Sequence, residues 1–132
     1  MIEEKINVER YDLRLGNEFT YLRPLLFTNR KHWKYEGILH EYLTPIDKIS
    51  STEILKGNYY IESRRLGARS NSIDKYHKDA ELLIKAYEEE TKECLKNRYA
   101  FYAAQSYKDS NQNEEAIKWY SKVLSLNNWT QE

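Results

Sequence analysis

At 132 residues the chain has room for one compact domain or two small ones, and 40% hydrophobic content allows a core while 32% charge favours solubility. Lysine plus arginine and aspartate plus glutamate balance at 21 each, so no net field selects for nucleic acid or an acidic membrane surface. No apolar run reaches the roughly 20 residues that span a bilayer, the start Met1-Ile-Glu-Glu-Lys lacks a signal-peptide apolar core, and a lone Cys94 forms no internal disulfide, so a reducing, cytoplasmic location is expected.

Residues 8–27 read as a hairpin. Tyr11, Leu13 and Leu15 alternate with Asp12 and Arg14, Leu15-Gly16-Asn17 supplies a turn, and Phe19, Tyr21 and Arg23 resume the alternation. Pro24 predicts that the second strand lies at an edge or bends there, because proline offers no N–H to a ladder. Asn29-Arg30-Lys31-His32 is a basic connection, read either as a solvated loop or as a group meeting a diphosphate or an acidic acceptor.

The stretch Trp33-Lys-Tyr-Glu-Gly-Ile-Leu-His-Glu-Tyr-Leu43 is the least generic part of the chain. In an extended chain Trp33, Tyr35 and Gly37 share one side, while Ile38, His40 and Tyr42 share a face further on. A histidine beside apolar groups needs a partner, a ligand or a metal. Two readings follow: a half-buried strand pair whose histidine bonds a backbone carbonyl, or a ligand-facing His40-Glu41 pair at an exposed edge. Beyond Thr44-Pro45 an irregular stretch leads to a further strand over about 53–62, with Leu55, Tyr59 and Ile61 on one face. Arg64, Arg65 and Arg69 then form a local basic cluster, read as a solvated hinge or an anion site.

From Ser72 the apolar period becomes 3.6. Asn71 or Ser72 suits a helix cap, Asp74 suits the first turn, and Ile73, Tyr76, Ala80, Leu83, Ile84 and Tyr87 make one stripe. A second helix is expected over about 93–108, with Tyr99, Ala100, Ala103, Ala104 and Tyr107 inward. After a turn at 109–113, a third is expected over 114–126 with Ala116 and Tyr120 inward. Alanine at a crossing lets antiparallel helices approach closely, with tyrosines on either side. Trp129 is expected to cover the end of the stack.

These motifs carry a resemblance. Trp33, Tyr35, Gly37, His40 and Glu41, after Tyr21-Leu-Arg-Pro-Leu-Leu-Phe27, resemble the acceptor-side half of the catalytic domain in family-two glycosyltransferases of the GT-A fold. Gly67-Ala-Arg-Ser70, Asp74-Lys-Tyr76 and Asp79-Ala80 resemble the passage from such a domain into a helical tail. Ala104, Tyr107, Ala116 and Tyr120 match the tetratricopeptide pattern, a pairing associated with bacterial and giant-virus glycosyltransferases. The resemblance implies an α+β fold. A strand-rich acceptor-side remnant would occupy residues 1–70, and a three-helix tetratricopeptide-like antiparallel stack residues 71–132.

It also implies sugar transfer from a nucleotide sugar with inversion at the anomeric carbon. Glu41 would be the catalytic carboxylate, Trp33, Tyr35 and Glu36 substrate-binding groups, and His40 a ligand or neighbour of a divalent Mn or Mg ion. The sequence departs from the family in having no Asp-x-Asp and no glycine-rich loop, and Ser63-Arg64-Arg65 stands where the family often has a histidine. The expected partner is therefore a nucleotide-sugar-binding half outside this sequence, with no activity for the chain alone. The alternative is a non-catalytic interaction module that binds a protein partner through its helices.

Overall fold

A computed structural model describes residues 7–64 and 74–126. The elements in order are β1 (Arg10–Leu15), β2 (Tyr21–Phe27), β3 (Trp33–Glu36), β4 (Tyr42–Pro45), β5 (Thr52–Ile54), α1 (Lys75–Glu89), α2 (Glu93–Asp109) and α3 (Asn113–Ser125). The fold is α+β: five mostly antiparallel strands in two small sheets, followed by three helices. Two compact units share the chain. One holds the strands, and the other joins the loop Gly37–Glu41 to the helices. The expected boundary at residues 70 and 71 lies outside the described residues. So do the resembling Gly67-Ala-Arg-Ser70 segment, Arg65, Arg69, Asn71, Ser72, Ile73 and Trp129.

In the strand unit the order β2-β1-β5 makes one sheet and β3-β4 the other. The β1–β2 hairpin forms as the alternation predicts. Leu15 opposes Tyr21 and Leu13 opposes Arg23, so Tyr11, Leu13 and Leu15 share a face, with Tyr11 and Leu15 buried. Gly16 makes the turn at φ +82, where a Cβ would come within 2.1 Å of the Phe19 carbonyl oxygen. β2 is an edge, as Pro24 predicts, and the register slips between Tyr11 and Asp12, leaving Leu25 as an extra residue.

β5 pairs parallel to β1. The strand expected over 53–62 is broken: only Thr52–Ile54 form the ladder, Gly57 turns at φ +134, and Ile61 returns as a single bridge to Leu15. The intervening chain is held by the Ile61 N–H on the Arg14 carbonyl (2.9 Å) and by Arg14 on the Gly57 carbonyl (3.2 Å).

Most of the buried apolar surface lies in the helical unit. Ala80, Leu83 and Ala86 of α1, Leu95, Tyr99, Ala100, Ala103, Ala104 and Tyr107 of α2, and Ala116, Trp119 and Val123 of α3 are buried. The inward set expected on α2 is thus reproduced in full. On α1, Asp74 is the N-cap residue itself, without a side-chain cap bond. The α2–α3 turn is short because Asn111 adopts φ +59. The N–H groups of Asn111 and Gln112 then return to the carbonyls of Lys108 and Tyr107, closing the helix end. On α3, Trp119 is the buried aromatic and Tyr120 is half-buried. Trp119 meets Tyr87 of α1 edge-on at 5.4 Å, whereas Tyr120 turns to Phe101 of α2 at 6.1 Å. A seam to α1 as well as α2 therefore divides the two aromatics.

Candidate functional site

The motif from Trp33 to Leu43 does not run straight. Glu36 pairs with Tyr42, so β3 and β4 form a hairpin and residues 37–41 are its loop. This corrects the extended reading in which Ile38, His40 and Tyr42 shared one face. The reason is backbone geometry: Gly37 has φ +108 and His40 φ +53, so the chain reverses. Left-handed backbone is open to glycine but costs a non-glycine residue roughly 1–2 kcal/mol.

Trp33 and Tyr35 share one face of the hairpin with Leu43 and Pro45, and Lys34 and Glu36 share the other with Tyr42 and Thr44. Trp33 is half-buried. Its indole N–H donates to the Thr28 carbonyl at 2.8 Å and its ring lies against Phe27 at 5.1 Å, so much of this residue serves the fold of the strand unit. Tyr35 is 60% exposed. Glu36 accepts from the Lys34 ammonium (2.8 Å) and from the Tyr42 hydroxyl (3.2 Å), which sets its carboxylate on the Lys34 face.

His40 and Glu41 belong to the helical unit and are both exposed. The His40 ring stacks on Tyr102 of α2, with centroids 3.9 Å apart and planes within 5°. The Arg98 guanidinium donates to the His40 carbonyl through Nε at 3.3 Å and Nη2 at 2.8 Å. Trp33, Tyr35 and Glu36 thus lie in one unit, and His40 and Glu41 in the other.

Arg98 and Tyr102 escaped the sequence reading. They stand four apart on α2, away from the alanine–tyrosine seam, and that spacing was the only available signal. Among the described residues no group of three or more His, Cys, Asp or Glu side chains is gathered as a metal would require.

The basic connection 29–32 is largely tied down. Lys31 reaches Glu9 (3.4 Å) and the Lys48 carbonyl (3.2 Å), while His32 meets Asp47 through its backbone N–H (2.7 Å) and Nδ1 (2.8 Å). The Ser50 backbone N–H holds the Glu9 carboxyl below its ordinary value, helped by the N–H of Ser51 and by Lys31. The His32 backbone N–H does the same for Asp47, with the imidazole adding to it. Arg64 is exposed and pairs with Glu62 at 3.1 Å. Burial raises the phenol of Tyr107, with the charges of Glu115 and Glu81 behind it, and burial followed by Asp109 raises that of Tyr120. No helix among the described residues is long and apolar enough to cross a membrane. Compared with protein-family models, with curated proteins and with solved structures, the chain matches none.

Proposed function

We propose that the chain is the acceptor-side portion of a sugar-transferring enzyme of the glycosyltransferase type, carrying a tetratricopeptide-like helical tail. A nucleotide-sugar-binding half completes it. The observation that supports this is the exposed His40-Glu41 pair at the tip of a hairpin loop, with His40 held in a costly backbone conformation by a ring contact and a guanidinium. Backbone strain of this sort persists where surrounding structure over-determines it, and it clusters at ligand-binding sites. In this reading Glu41 is the carboxylate that takes the acceptor proton and His40 faces the diphosphate, both side chains being exposed. Any divalent ion draws its carboxylates from the other half.

The test is transfer from nucleotide sugars with Mn²⁺ or Mg²⁺, by the chain alone and by the chain fused to an Asp-x-Asp-bearing α/β half. The chain alone shows no turnover, and the fusion transfers. Glu41→Gln then lowers the fusion's rate by about 10²–10⁴-fold, the usual worth of a positioned base. Turnover by the chain alone, or a fusion indifferent to Glu41→Gln, refutes the assignment.

A second reading, a protein-interaction module, is favoured by Ile117 and Leu124 of α3, which are 65% and 83% exposed and seven residues apart. That spacing sets them on one helix face. Under this reading Ile117→Asp and Leu124→Asp abolish partner binding and Glu41→Gln does not.

A further inference from the structure

Two side chains of α2 converge on one loop residue, and they hold different parts of it. Arg98 takes the His40 carbonyl through two N–H donors, and Tyr102 takes the imidazole face to face. One contact fixes the backbone and the other fixes the ring. Spaced four residues apart, Arg98 and Tyr102 sit one above the other on the helix, and the guanidinium also lies over the Tyr102 ring at 5.1 Å. Tyr102 is itself wedged in place. Phe101 meets it edge-on at 5.3 Å and reaches on to Tyr120 of α3 at 6.1 Å, so a row of rings runs from the loop into the helix pair. Simple closure of the loop does not call for such an arrangement. Glycine adopts φ +53 without penalty, whereas the histidine at this position is strained and then clamped.

We propose that Tyr102 and Arg98 are positioning residues for His40, and that the helical tail is a working part of the transfer site. The inference rests on the reading of His40 as a ligand-facing group. By holding the imidazole before a ligand arrives, α2 removes the ordering cost that a mobile loop adds to every encounter.

The experiment records the imidazole and backbone resonances of His40 in the full chain. In the parent the ring protons of His40 lie upfield of their position in unfolded chain, because they sit over the face of Tyr102. Tyr102→Phe keeps that displacement and Tyr102→Leu abolishes it. Arg98→Ala speeds amide exchange at residues 38–41 by about tenfold, and Arg98→Lys restores part of the protection. A parent protein with no upfield displacement overturns the proposal without recourse to any variant, and so does a displacement that survives Tyr102→Leu. Unchanged exchange in Arg98→Ala overturns the role of Arg98. In the active fusion, Tyr102→Leu lowers kcat by about tenfold or more with KM nearly unchanged, and Tyr102→Phe recovers it. A fusion inactive in every form counts against the sugar-transfer reading alone, and the resonances then decide the positioning role.

Discussion

Ala104→Leu is the sharpest test of the helical packing. Ala104 is 0% exposed, as are Ala100 and Ala103 beside it on α2, and α2 packs against both α1 and α3. A leucine there has no route to solvent, so its extra carbons must displace neighbours on helices that meet closely through alanine. Overpacking of this kind costs about 1–3 kcal/mol. At roughly 4–8 °C per kcal/mol for a small domain, the helical melting midpoint falls by about 4–24 °C. Far-UV circular dichroism reports it, because the helices dominate that signal. Lys108→Leu, at an exposed site on the same helix, is the control and stays within about 0.5 kcal/mol of the parent. If Ala104→Leu melts with the control, α2 does not cross its neighbours through this alanine and the seam is misassigned.

Acid should loosen the strand unit first. Glu9 and Asp47 have folded values below their ordinary 4.5 and 3.8, so their contribution is present above those values and is lost as pH falls through the folded ones. Glu9→Gln removes the Glu9 part of that dependence, read as a shallower acid limb in tryptophan fluorescence, since Trp33 lies in the same unit. Alkali should loosen the helices. The Tyr107 phenol has a folded value above 10.0, so its contribution is complete below that value and vanishes as pH rises through the folded one. Tyr107→Phe weakens this alkaline dependence in the circular dichroism signal.

Where local pattern and tertiary need agreed, the sequence was readable. Tyr11, Leu13 and Leu15 alternate about a glycine turn, and a hairpin follows. Tyr99, Ala100, Ala103, Ala104 and Tyr107 recur at helical spacing, and all are buried. Reading failed where backbone conformation decided. Ile38-Leu39-His40 has strand-like chemistry, yet the positive φ of Gly37 and His40 turns it into a loop. Asn58-Tyr59-Tyr60-Ile61 likewise favours a strand, but the chain bulges away from β1 around Gly57 and rejoins it, still parallel, only at Ile61. In the candidate site, the His40-Glu41 pair stood out from residue types alone. Its support did not, because Arg98 lies 58 residues from the carbonyl it holds and no local rule links the two.

The slipped register of β2 bears on how this chain behaves in a crowded solution. Leu22, Leu25 and Phe27 are exposed on an edge strand, a combination that invites another chain to add itself to the sheet. Pro24 has no N–H to offer an incoming strand, and the extra Leu25 beside it breaks the even spacing of the donors and acceptors on either side. A strand approaching this edge finds two short rungs in place of a continuous ladder, so fibre growth is interrupted at the point where the apolar surface is most inviting.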